Sequence, residues 1–247
     1  KIGIASHHRA KRQFTLDYLE AIGFPRERVI MSVQCEEDRR EYQKAGMQER
    51  VGEFIFAPAS TAAGNRNTLL DHIPRGERIV LMDDDIKGIS HLEGDHLQQI
   101  RTTVELDFMI EMGFSVARKH RAIGFGVYPV HNAYFMSKGY AERNIVDAGI
   151  FALVNTGMRF HTGIATKEDY EFCCRAIRSY GAFIRLNEYA VNSPAGHKGG
   201  CQEAWNDIAA ARRVAAMLCA KYPDILRPNP KREGEVLMVK SKKRSGR

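Results

Sequence analysis

The sequence predicts an α/β protein built on a mostly parallel sheet with helices on both faces. Three observations carry this. Short apolar runs alternate with stretches of helical spacing through the first third of the chain. The fourth such run ends in three consecutive aspartates, at the carboxyl end of a strand, where open parallel sheets bind ligands. The chain has 247 residues, 44% hydrophobic and 27% charged, so there is enough apolar material for a core. That composition excludes a wholly disordered chain, and no apolar run approaches the ~20 residues of a membrane span.

The elements follow in order. Lys1–Ala5 reads as a short apolar strand. Gln13–Ile22 carries Phe14, Tyr18, Leu19 and Ile22 at helical spacing, and Gly23-Phe-Pro closes it. Arg28–Val33 is a second strand, Glu37–Ala45 a second helix and Phe54-Ile-Phe-Ala a third strand. Thr61–Asp71 is a helix after the turn-prone Pro58-Ala-Ser, and Arg78–Met82 is the strand that meets the aspartates. Further on, Leu97–His120 reads as one helix, with Val104, Phe108, Glu111 and Ser115 on successive turns. Gly124–Tyr128, Ala133–Ser137, Ile150–Val154, Phe183–Tyr189 and Glu235–Val239 read as strands. Glu168–Tyr180 and Glu203–Lys221 read as helices, the second packing through Ala209, Ala210, Ala211, Val214, Ala215 and Leu218 until Pro223 stops it. Without a repeat or long linker, this gives one compact domain over 1–230, split into halves 1–88 and 89–230, and a basic tail over 231–247.

Charge and cysteines narrow the class. Lys plus Arg outnumber Asp plus Glu by 37 to 30, a net +7 that favours an anionic partner such as nucleic acid or a phosphorylated ligand. Five cysteines, with no C-x-x-C pair, fit neither a disulfide scaffold nor a zinc knuckle. Cys173 and Cys174 read as buried small residues of a helix. The chain enters a strand-like run at once, without a secretory signature, and a cytoplasmic location is expected.

Asp83-Asp84-Asp85 is the sharpest motif. Three crowded carboxylates repel, and keeping them ionised needs a cation or strong donors. On a strand, Asp83 and Asp85 would point the same way and could share a hard divalent ion, Mg²⁺ or Mn²⁺. A solvated acidic turn reads equally well from the triplet alone. Lys167-Glu-Asp-Tyr-Glu opens a helix, where acids suit the dipole, but where Glu168 or Asp169 would also be placed to take a proton. His197, in Ser193-Pro-Ala-Gly-His-Lys-Gly-Gly, would supply a nitrogen ligand from across the site.

This ordered set resembles the GT-A fold glycosyltransferases, whose nucleotide-binding half ends in D-x-D, followed by an E-D pair and a late His. Ile4-Ala-Ser-His-His-Arg-Ala, Ala63-Gly-Asn-Arg-Asn and Val80-Leu-Met-Asp-Asp-Asp are similar to the TET-associated glycosyltransferases of phages, relatives of the base J glucosyltransferases. The resemblance implies a GT-A type, Rossmann-like sheet and sugar transfer from a UDP-sugar to an oxidised pyrimidine in DNA, typically 5-hydroxymethylcytosine.

The resemblance also implies roles. Ser6, His7, His8 and Arg9 would lie against the uridine and diphosphate, with Lys11 or Arg12 assisting. Glu36 or Glu37 would meet the base or ribose. Arg66 would reach both the aspartates and the diphosphate. Asp83 would hold ribose or metal and Asp85 the metal, Asp84 would count among the nucleotide-sugar-binding residues with an ambiguous role, and His197 would complete the metal set. Asp169 would be the base of an inverting displacement, with Glu168 as the alternative. A flipped nucleotide would stack on Tyr128, His131, Tyr134 or Trp205. Arg118-Lys-His-Arg121 and the basic tail would track phosphates. The rival readings are transfer to a glycan, protein or lipid, a nucleotidyltransferase, and a non-catalytic DNA-binding protein.

Overall fold

The computed structural model describes residues 1–58, 61–146, 149–164, 166–193 and 207–239. Its first third is built of βα units. Strand β1 (Ile2–Ser6) leads to helix α1 (Phe14–Ala21), then β2 (Val29–Val33), α2 (Glu36–Lys44), the short α3 (Met47–Arg50), β3 (Glu53–Phe56), α4 (Ala62–His72) and β4 (Arg78–Asp83). β1 and β2 are buried almost throughout, as strands covered on both faces must be. Helix α1 ends on Gly23 at φ +73°, where the amide of Gly23 donates to the Glu20 carbonyl and that of Phe24 to Leu19. This left-handed stop satisfies the last carbonyls and turns the chain back to the sheet.

β4 is followed by a hairpin, β5 (Gly88–Glu93) and β6 (His96–Gln99), and then by α5 (Thr103–Lys119). Thr102 and Glu105 form a reciprocal cap at the start of α5. The single helix expected over 97–120 is therefore a strand, a turn and a helix. The cap sets the boundary, and Leu97 belongs to β6, paired with Leu92. Val104 and Phe108 face solvent, while Leu106, Met109, Ile110 and Phe114 face the core.

β7 (Gly124–Tyr128), the two-residue β8 (Tyr140–Ala141), β9 (Ile150–Val154), α6 (Glu168–Tyr180), β10 (Ile184–Asn192), α7 (Ile208–Lys221), β11 (Leu226–Pro228) and β12 (Val236–Met238) complete the described chain. Ala133–Phe135, expected within a strand, is a 3-10 turn capped by the Asn132 side chain. On α7, Ala215 and Leu218 are buried, whereas Ala209 is exposed.

The main sheet runs β3-β2-β1-β4-β9-β7-β10-β5-β6, with β8 on β10. β3, β2, β1 and β4 are mutually parallel, as is the β7–β10 pair, and the other pairings are antiparallel. The first four strands thus form a continuous parallel run, and the antiparallel pairings of the later strands make the sheet mixed. Direction reverses between β4 and β9, so the carboxyl end of β4 meets the start of β9, and the Asp83 amide donates to the Gly149 carbonyl. Cys173 and Cys174 are buried among Phe151, Phe172 and Phe183, and burial pushes the Cys174 thiol up to about 12. Among the described residues no helix is long and apolar enough to cross a membrane.

Candidate active site at the end of β4

Three loops converge where β1, β2 and β4 end. β1 delivers Ser6 and the turn His7–Arg9, β2 delivers the start of α2, and β4 delivers the aspartates. The strand stops at Asp83, and Asp84 and Asp85 lie in the following turn. Strand alternation therefore does not carry through the run, but Asp83 and Asp85 both line one pocket. The pocket measures about 210 Å³ and is walled on its far side by Tyr128, His131, Ile150 and Ser193.

Asp84 turns the other way. Its carboxylate is buried and accepts from the Ser6 hydroxyl and from Arg9. Tyr42 lies 2.6 Å from the Ser6 hydroxyl, and the Gln13 amide donates to that hydroxyl at 2.9 Å. Burial raises the Asp84 pKa, which Arg9 and Ser6 partly offset. Arg9 also pairs with Asp85 at 2.9 Å. Burial works against the Arg9 charge, but Asp84 and Asp85 outweigh it and keep the guanidinium charged. Asp85 in addition accepts from the Ser193 hydroxyl at 2.8 Å.

Arg66 ties the two halves of the chain together. From α4 it donates to Asp83 at 2.8 Å, and its other nitrogen donates to Glu168 at the start of α6. It is 8% exposed. Burial alone would disfavour its charge, but Asp83 and Glu168 dominate and raise its pKa. Asn65 beside it donates to the carbonyls of Ser6 and Ser32, which pins α4 across the ends of β1 and β2. Asp169 is buried, and its carboxylate accepts from the Tyr170 amide at 2.8 Å. Lys167, with φ +62°, is fully buried and pairs with Glu235 at 2.9 Å, so the bend that starts α6 is fastened to the segment before β12.

Two imidazoles follow Ser6. The Nδ1 atoms of His7 and His8 lie 2.5 and 3.1 Å from the Asp38 carboxylate. Glu36 and Glu37, expected near the base or ribose, face solvent, and Glu36 pairs with Arg39 and Arg40. Asp38, one helical position further, is the acid that turns inward. Its signal in the sequence was the Cys35-x-x-Asp38 helix start, in which the Cys35 sulfur caps the Asp38 amide. Tyr42 and Gln13 carried no comparable signal.

The acceptor-side residues divide. Tyr128 lines the pocket under the Arg185 guanidinium, 4.8 Å from its ring. His131 also lines it, near the Ser90 hydroxyl at 3.0 Å, and burial lowers its pKa, favouring the neutral ring. Tyr134 is 86% exposed. Arg118, Lys119 and Arg121 are exposed at the end of α5, as are Lys11 and Arg12 after β1. His197, Trp205 and the residues of the tail beyond Val239 lie outside the described residues.

The fold has close counterparts among solved structures. Staphylococcus aureus TarS superposes with a TM-score of 0.53 at 13% identity, over 88% of this chain and 39% of that one. The mannosyltransferase PcManGT from Pyrobaculum calidifontis, in complex with GDP-Man and Mn²⁺, matches with a TM-score of 0.60 at 13% identity, over 92% of this chain and 65% of that one. Glucosyl-3-phosphoglycerate synthase from Mycobacterium tuberculosis, in complex with Mn²⁺, UDP-glucose and phosphoglyceric acid, matches with a TM-score of 0.50 at 8% identity, over 97% and 86%.

The fold is GT-A.

The chain thus spans less than two thirds of TarS and of PcManGT. No protein-family model and no curated protein matches the sequence. The aspartate run lies at the carboxyl end of β4, beside the β1–β4 boundary where the strand order turns, which is where α/β folds of this kind place ligands.

Proposed function

We propose that this chain is a metal-dependent, inverting glycosyltransferase that moves a sugar from a UDP-sugar to the hydroxyl of 5-hydroxymethylcytosine in DNA. The observation that carries the donor part is the convergence of Asp83, Asp85, Arg9, Arg66 and Glu168 at the carboxyl end of β4. The structural counterparts add weight, because PcManGT and the glucosyl-3-phosphoglycerate synthase carry a nucleotide sugar and Mn²⁺.

The residues fit such a metal in kind. Asp83 and Asp85 offer hard carboxylate oxygens to one pocket, as Mg²⁺ or Mn²⁺ requires. Asp83 and Asp85, with His197 as a third ligand, would hold the ion, and when bound it would stabilise the negative charge of the departing diphosphate. The turn Ser6–Arg9, with His7 and His8, would border the uridine and diphosphate. Arg66 and Arg9 bring permanent positive charge to where that anion must sit. Asp84 contributes indirectly, by fixing Ser6 and Arg9.

For the transfer itself, the acceptor oxygen attacks the anomeric carbon as the bond to the diphosphate breaks. The hydroxyl proton passes to Asp169, and the configuration inverts. An alcohol is too weak an acid to ionise first, so proton removal and attack are concerted. Asp169 takes the base role that the resemblance implies, and Glu168 beside it pairs with Arg66.

The DNA acceptor rests on the resemblance of the N-terminal motifs to enzymes of modified DNA. Tyr128 and His131 on the pocket wall, and the exposed pair Tyr134 and Phe135 beyond it, suit a flipped base. The test offers purified protein UDP-sugars, Mn²⁺ and DNA with or without 5-hydroxymethylcytosine. UDP release that needs both metal and modified DNA, with a matching gain of mass on the DNA, supports the reading. Metal-dependent release without a need for DNA would replace the acceptor by a glycan, protein or lipid.

A further inference from the structure

A second group of metal-ligating side chains stands beside the donor site and takes no part in the transfer chemistry. His7, His8, Cys35 and Asp38 each present one ligand atom, and the four atoms lie within 4.8 Å of one another. The fold brings them together because β1 and β2 are adjacent and parallel, with Ser6 level with Val33, so the loops leaving both strands emerge side by side. Cys35 and Asp38 are the cap and third residue of α2, one turn apart. His8 has φ +55°, which folds its ring back over that of His7, with centroids 3.7 Å apart.

We propose that these four residues form a metal site of the zinc class, separate from the aspartate run. The donor set decides the class. Two imidazoles, a thiol and a carboxylate make the mixed N/S/O quartet that Zn²⁺ takes in closed tetrahedral sites, whereas Mg²⁺ and Mn²⁺ prefer all-oxygen shells such as Asp83 and Asp85. Tetrahedral bonds of ~2.0–2.3 Å put neighbouring ligand atoms roughly 3.5 Å apart. The present spread therefore closes with small side-chain rotations.

Backbone amides of the same segments also hold two of the ligand groups. The Asp38 amide donates to the Cys35 sulfur at 3.3 Å, and the His8 amide to the Asp38 carboxylate at 2.9 Å. Asp38 is 2% exposed and His8 about half exposed, so the site is anchored within and open to solvent on one side. Binding releases the thiol proton of Cys35 to solvent, and each imidazole binds through a neutral nitrogen. The ion would clamp the turn that carries Arg9, and through Arg9 it would steady Asp84 and Asp85.

Cobalt reads the site directly. Full-length protein stripped by chelator is titrated with Co²⁺ and then with Zn²⁺, with far-UV circular dichroism as the check on folding. The expected result is one equivalent of Co²⁺ giving strong tetrahedral visible bands and a thiolate charge-transfer band, both displaced by Zn²⁺. Cys35→Ser abolishes the charge-transfer band, and the half-exposed His8→Ala, which keeps the fold, weakens binding at least tenfold, the least that a lost ligand should cost. Asp85→Asn leaves both bands unchanged. A weak octahedral spectrum, bands unmoved by Cys35→Ser and His8→Ala, or bands abolished by Asp85→Asn would each overturn the proposal. None of these readouts depends on sugar transfer, so the proposal stands or falls apart from the glycosyltransferase reading.

Discussion

Arg66 and Asp83 meet at 2.8 Å, and the second nitrogen of the same guanidinium holds Glu168, 102 positions along the chain. One side chain of α4 therefore joins the last residue of β4 to the first residue of α6. Removing Arg66 would take away the charge that holds these two carboxylates of separate elements together. Arg66→Ala is expected to lower kcat/KM by about 10²–10³, the usual scale for losing an electrostatic stabiliser. It should also cost about 3 kcal/mol of stability, the low end for a broken buried pair, because the Asp83 side chain is 34% exposed. Arg66→Lys should not restore activity, since one ammonium cannot fork to both carboxylates. Steady-state kinetics and thermal melts check both effects.

The adjacent acids of α6 are separable. Asp169→Asn is expected to reduce kcat by about 10²–10⁴, as for loss of a general base, with UDP-sugar affinity unchanged. Glu168→Gln keeps the base but loosens Arg66, so it should weaken donor binding as well as turnover. Calorimetric donor titrations beside single-turnover rates distinguish the two patterns.

Much of this was legible in the sequence, and the reasons for the remainder are physical. The βα alternation gave β1 through β4 to within a residue or two, because strands buried on both faces are nearly continuous apolar runs. The aspartate run stands out in the sequence because three crowded carboxylates need a counter-charge, although the triplet alone reads equally well as a solvated turn. The β5–β6 hairpin was not legible. His91, His96 and Gln98 make it polar, and as the outer strand β6 needs no apolar run. Asp38 does not stand out in sequence because, of the three consecutive acids that open α2, only the third turns inward, and the three look alike.

Acid should unfold the protein partly through Glu171. Its side chain is 1% exposed and accepts from Tyr222, Lys221 and Arg175. Burial pushes its pKa up, but these partners outweigh burial and the net shift is downward. A depressed carboxyl pKa contributes stability that is present above the ordinary Glu range and lost as pH falls through the folded value. Glu171→Gln should therefore cost about 1–3 kcal/mol at neutral pH. It should also make the melting temperature less dependent on pH below about 4.5. A melting series from pH 7 to acid, run on both proteins, reads the difference.

Gly126 is required for space. A Cβ there would come within 1.8 Å of Val146 Cγ1 and 2.7 Å of the Ile150 carbonyl oxygen. Gly126→Ala should destabilise by about 1–3 kcal/mol, typical of an overpacked core, and lower the melting temperature by several degrees. Because Val127 and Ile150 wall the pocket, the same change should also raise KM for the acceptor more than for the donor.

On the proposed function, the aspartate run at the end of β4 holds a nucleotide diphosphate together with a divalent ion. Isothermal titration of UDP into the protein with and without Mn²⁺ tests it most directly. Binding is expected to need Mn²⁺, to be lost in Asp83→Asn and Asp85→Asn, and to survive in Asp169→Asn. Absence of UDP binding with Mn²⁺ present, or binding indifferent both to the metal and to the loss of Asp83 and Asp85, would contradict it.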